Sequence, residues 1–139
     1  MSQTTFERLT RALPMFDDLV DTLDVDALKS RLPVPSNTIW DQLWCVVGAR
    51  ESYARAILAG EWPGFSCSLT ASDRGSKSKV ATALESSRRL LEKAGETSPD
   101  SPFILDVLLH ETQHQGQLIR YVYGLRLSFP ESWRARWNL

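Results

Sequence analysis

Four stretches of this chain repeat apolar residues every three or four positions. Each is bounded by proline, glycine or a capping side chain, and that combination commits the chain to helices. In the first stretch Phe6, Leu9, Leu13, Phe16, Val20 and Leu23 make one stripe, which Pro14 interrupts. The second runs from Thr38 to Ala59, with Trp40, Leu43, Trp44, Val47, Ala54 and Leu58 at helical spacing. Ser36 or Asn37 is the expected N-cap, and Gly60 followed by Pro63 the stop. In the third, Val80, Ala83, Leu84, Leu91 and Ala94 line one face, Glu85 can pair with Arg88 and Arg89, and Gly95 closes the run. The fourth spans about Phe103 to Tyr123 and stops at Gly124. Only residues 60 to 76 form a substantial loop, rich in Gly, Ser and Pro. The expectation is an all-α four-helix bundle, one domain over residues 1–139, with a short C-terminal tail packed on it.

Size and charge agree with one core and exclude some partners. A chain of 139 residues buries roughly two-thirds of the surface its unfolded form exposes. Sixteen Lys and Arg against seventeen Asp and Glu leave a net charge of -1, so no overall field draws it to nucleic acid or an anionic membrane. The start "MSQTTFERLT" lacks a basic-then-apolar leader, and no run approaches the roughly 20 apolar residues of a membrane span. A cytoplasmic protein is expected, with Cys45 and Cys67 kept as thiols.

The only two histidines, His110 and His114, stand four apart in "LLHETQHQGQL". At 100° per residue, Phe103, Val107, His110, His114, Gln117 and Tyr121 fall on one narrow stripe, which turns both imidazoles inward. Such a pair can place two ring nitrogens on one metal at about 2.0–2.1 Å each. The alternative is two separately satisfied core histidines, each needing its own partner.

A third ligand has to come from a facing helix. The second stretch offers Cys45, on a face of small or polar residues with Thr38, Asp41, Gly48, Ser52 and Ala56, where the small side chains leave room. Read from the residues alone, the small buried apolar side chain is the favoured reading of Cys45, the common fate of a free cysteine. Asp41, one turn earlier, is either an acceptor for a ligand's proton or simply solvated.

"SNTIWDQLWCVVGARESYARAILAGEW" followed by "HETQHQGQLIRYVYGLRLSFPESW" resembles the DinB-like (YfiT-like) family of four-helix metalloproteins over essentially the whole chain. His110, His114, Gly116, Gln117, Tyr121, Gly124 and Pro130 match the family pattern, whereas Cys45 stands where its first metal-binding histidine is expected. The resemblance implies a divalent metal held between Cys45, His110 and His114. It also implies a transferase or isomerase that uses a low-molecular-weight thiol on a small-molecule substrate, and a homodimer. With a thiolate ligand zinc is the expected metal, nickel or manganese the alternatives. The contrary reading of Cys45 is a site that has lost its metal, leaving a binding or scaffold module.

Two features invite other readings. "HETQH" has the form of the zinc-peptidase signature with Glu111 as general base, but no third histidine follows, and Glu111 lies 100° around the helix from His110. A salt bridge or a solvent-facing role is expected for it instead. In the tail "RLSFPESWRARWNL", Arg126, Arg134 and Arg136 either hold an acidic thiol cofactor near the metal or stay in water while Trp133 and Trp137 pin the tail. Trp40, Trp44 and Tyr53 are expected to be core or dimer contacts.

Overall fold

The computed structural model describes residues 3–139, and every regular element among them is a helix, apart from one isolated bridge between Arg31 and Thr38. Helix α1 (Thr5–Ala12) begins with a capping box in which Thr4 and Glu7 satisfy each other's backbone N–H groups. Pro14 then breaks the run, and α2 (Met15–Thr22) restarts it. After α3 (Val25–Leu28), the chain enters α4 (Ile39–Ala59), whose N-cap is Thr38, boxed with Asp41. The expected caps Ser36 and Asn37 lie just outside. Gly60, at φ 77°, ends α4 in the left-handed conformation that glycine adopts without strain.

The loop of residues 60–76 leads to α5 (Lys77–Thr97), then α6 (Pro102–Gly124) with proline in its first turn, and α7 (Glu131–Trp137) in the tail. Gly95 does not close α5. It lies within the helix against the Phe6 ring, and a Cβ there would come within 2.2 Å of it. Helix α4 packs on α5 and α6, α1 packs on α6, and α2 packs on α5 and α7. No described helix is long and apolar enough to cross a membrane.

The interior is two apolar clusters with a polar layer between them. One holds Leu9, Leu13, Ala54, Ile57, Leu91, Ile104 and Val107. The larger includes Phe16, Leu43, Val47, Val80, Leu84, Leu118 and Trp133. Along α4, α5 and α6 the change from one cluster to the other falls at Arg50, at Ser87, and at Glu111, His114 and Gln115, all buried polar side chains. Burying such groups is tolerated only when each finds a hydrogen-bond partner.

Most do. Arg50, wholly buried, donates from Nε and Nη2 to Glu111 (2.6 and 3.1 Å), from Nη1 to the Leu84 carbonyl (3.0 Å) and from Nη2 to the Leu13 carbonyl (2.8 Å). Those acceptors belong to α6, to α5 and to the junction of α1 with α2. The junction draws in two more donors. Gln115 Nε2 reaches the Ala12 carbonyl at 3.3 Å and Trp133 Nε1 the Met15 carbonyl at 2.6 Å. The break at Pro14 denies Ala12 and Leu13 the acceptor role a continuous helix would give them, and side chains from α4 and α6 take it over.

Candidate metal centre

At the edge of the polar layer the structure brings Cys45, His110 and His114 together, their donor atoms all within 4.8 Å of one another. Cys45 Sγ lies 3.5 Å from His110 Nε2, and His110 Nε2 lies 3.2 Å from His114 Nε2. Bonds of about 2.0–2.1 Å to imidazole and 2.3 Å to thiolate give tetrahedral edges of about 3.3 Å between two nitrogens and about 3.6 Å between nitrogen and sulfur. Two edges therefore already have the dimensions of a shared tetrahedral ion. The remaining spacing, within 4.8 Å, exceeds its ideal by at most about 1.2 Å.

His114 is aimed by a relay that begins on the same helix. Tyr121 Oη donates to Asn37, through the backbone carbonyl at 2.7 Å and also to Oδ1. Gln42 Nε2 donates to Asn37 Oδ1 at 3.0 Å, which fixes the Gln42 amide so that Oε1 faces His114 Nδ1 at 2.6 Å. An amide oxygen can only accept, so Nδ1 carries the proton and Nε2 presents its lone pair to the cluster. His110 has no such support: its Nδ1 is buried without a partner.

Electrostatics leave all three groups neutral near pH 7. Burial pushes the His114 imidazolium down to about 4, with His110 adding to the effect, and burial also lowers His110. These are the unprotonated rings that ligate metals. Desolvation raises the thiol of Cys45 and takes Cys67 to about 11, so neither is a thiolate by itself; a metal at Cys45 has to displace a proton.

Several expectations need correcting. Gln117 is exposed and contributes nothing to the inward stripe, which runs instead through Val107, Glu111, His114, Leu118 and Tyr121. Leu58, expected on the bulky face of α4, is 60% exposed. The small residues of α4 do not leave open room. A Cβ at Gly48 would meet the Phe65 ring at 2.3 Å and Cys67 Cβ at 2.9 Å, and Ser52 Oγ accepts from Ser66 N at 3.0 Å. That face receives the loop of residues 60–76.

Asp41 is spent on the α4 cap and on Arg74 at 3.3 Å, and the acceptor for a ligand's proton is Gln42. Glu111 makes the expected salt bridge, fully buried against Arg50; burial raises its carboxyl while the guanidinium opposes that rise. Arg88 pairs with Asp17 and Glu92, leaving Glu85 to Arg89 alone. In the tail, Trp133 is buried edge-on against Phe16 and Trp137 bonds to Gln115, whereas Arg126, Arg134 and Arg136 are exposed and make no contact with the cluster.

Gln42 and Arg50 escaped the sequence reading, although both carry a signal. Each is a polar residue inside an apolar helical run, and Arg50 falls in step with Leu43, Val47, Ala54 and Ile57 on the buried side of α4. Comparison of the chain with known protein families and with curated proteins gives no match.

Proposed function

We propose that the chain is a DinB-like four-helix bundle, with α1 and α2 together counting as one broken helix beside α4, α5 and α6, and that it is a metal-dependent enzyme acting on a small thiol. The observation that carries this reading is the convergence of Cys45, His110 and His114 at spacings of 3.5 and 3.2 Å. One soft and two borderline donors favour zinc over nickel or manganese. Three protein ligands leave a fourth position for the substrate, the arrangement of catalytic and not structural zinc sites.

When bound, the metal supplies a Lewis acid that brings a coordinated thiol or water to a usable nucleophile near neutral pH. The chain's own residues do the rest. Gln42 fixes the ring of His114, and the Arg50–Glu111 pair ties α4 to α6 so that Cys45 stays opposite His110. Phe65 and Cys67 cover α4 at Gly48, one turn beyond Cys45, which restricts entry to a compact thiol. Farther along both helices, about 10–12 Å away by helical rise, Tyr53 stacks with Trp62 at 4.8 Å and faces Phe103 at 6.3 Å. That apolar wall suits the electrophilic co-substrate.

The test is metal content after purification without chelator, followed by turnover of model electrophiles with a panel of low-molecular-weight thiols. Wild type is expected to retain close to one metal per chain, and Cys45→Ala and His110→Ala to lose both metal and rate. Metal-loaded protein inactive across the panel would make the chain a binding module instead. The family reading also carries a homodimer, supported by Leu105 and Tyr123, exposed apolar side chains on one stripe of α6; light scattering that reads 15.7 kDa at high concentration would remove it.

A further inference from the structure

A second site lies on the other side of α6. A cavity of about 310 Å³ opens between α1, α6 and the end of α7, and Arg8, Arg11 and Arg136 line it above Leu108, Leu109 and Thr112. Around α6, Leu108 and Thr112 point about 160° away from His110, so this cavity is separate from the Cys45–His110–His114 cluster.

Its charge is anomalous. The chain as a whole is nearly neutral, yet none of these three arginines forms an ion pair among the described residues. Arg8 and Arg11 stand three apart on one helix, where like charges repel, and nothing acidic lines the cavity to offset them.

Two of the three cations are also held in place. Arg11 Nη1 donates to Gln3 Oε1 at 2.8 Å. The Arg136 guanidinium lies 4.7 Å over the Trp137 ring, whose Nε1 donates to Gln115 Oε1 at 3.0 Å, and Gln115 in turn holds the Ala12 carbonyl. Arg136 is thus anchored through a tryptophan to the buried polar layer.

From the convergence of three unpaired arginines on a cavity with an apolar floor, we propose that this pocket binds an organic phosphomonoester. A phosphomonoester carries nearly two negative charges and three acceptor oxygens, which match three guanidinium forks better than one carboxylate does. Leu108 and Leu109 accept the apolar part of the ester. The cavity is too small for a nucleic-acid duplex and takes a single terminal group. The site does not depend on the metal reading.

The experiment is calorimetric titration of the full chain at low salt with phenyl phosphate, inorganic phosphate and succinate. Phenyl phosphate is expected to bind saturably and more tightly than inorganic phosphate. Arg136→Gln and, independently, Arg11→Gln are each expected to weaken it at least about tenfold, the loss of one charge-assisted contact, while Cys45→Ala leaves it unchanged. All three positions are exposed, and thermal melts by circular dichroism verify that the variants fold. Absence of saturable binding, or binding undiminished in both arginine variants, overturns the site. Succinate binding as tightly as phenyl phosphate overturns the phosphate assignment, and loss of binding in Cys45→Ala overturns its independence from the metal centre.

Discussion

His110 and Glu111 are neighbours in sequence and on the same helix, yet they live in opposite circumstances. Glu111 is wholly buried and both its oxygens are taken by Arg50, whose remaining donors reach two further segments of backbone. His110 is half-buried, its Nδ1 has no partner, and its Nε2 faces a thiol and a second imidazole that are themselves acceptors or weak donors. A closed network fixes positions and has nothing left to offer a ligand. An open one keeps unused coordination capacity, and here the closed network sits where it can hold the open one still.

If that contrast is right, the two groups respond to substitution in different currencies. The largest effect is expected at the closed pair. Glu111→Gln or Arg50→Met leaves a buried charge without its partner and lowers stability by about 3–5 kcal/mol, measurable by urea unfolding. The double variant Arg50→Met/Glu111→Leu is expected to recover much of that loss; a double variant as unstable as the sum of the two singles would break the comparison.

At the open cluster the expected loss is in metal affinity. Cys45→Ala is expected to weaken zinc about a hundredfold or more while changing the stability of the metal-free protein by no more than about 1 kcal/mol; competition with a chelating indicator reads the first, and chemical denaturation the second. Gln42→Ala, which frees the His114 ring without removing a ligand, is expected to cost about 10–100-fold in affinity. An unchanged affinity would show that the Tyr121–Asn37–Gln42 relay serves only packing.

A separate effect is expected in the pH profile of chelator-treated protein. Because burial lowers His114 from 6.5 to about 4, the unfolded chain binds more protons than the folded one throughout that interval. The contribution of this neutral ring is complete above pH 6.5 and is lost as the pH falls toward 4. His114→Gln is expected to flatten that limb of the curve, and an unchanged slope would place the acid sensitivity elsewhere.

How much of this could be read from the sequence depends on the length scale of the signal. The long helices, the break at Pro14 and the pairing of His110 with His114 follow from local spacing and from proline chemistry. Bundle geometry offers Cys45 as a third ligand, but only a resemblance favours that reading, since nothing local distinguishes a ligand from a small apolar filler. Gly48 looked like open space because a missing side chain marks room without saying what fills it; Phe65 does, from seventeen residues away. Arg50 carries a signal that goes unread, and Glu111 is expected in a salt bridge or in solvent with no partner named. Their pairing, 61 residues apart in sequence, is a tertiary fact.

The junction at Pro14 has a consequence for the order of events as the chain folds. Its buried carbonyls are served by donors far along the sequence: Arg50 lies 37 residues beyond Leu13, Gln115 lies 103 beyond Ala12, and Trp133 lies 118 beyond Met15. Helices α1 and α2 therefore have their hydrogen bonds completed only by partners far along the chain. Contacts of such sequence separation form slowly compared with the local bonds inside each helix, so the N-terminal pair is expected to be locked late, and Trp133→Phe is expected to speed unfolding more than it slows folding, which stopped-flow kinetics would read.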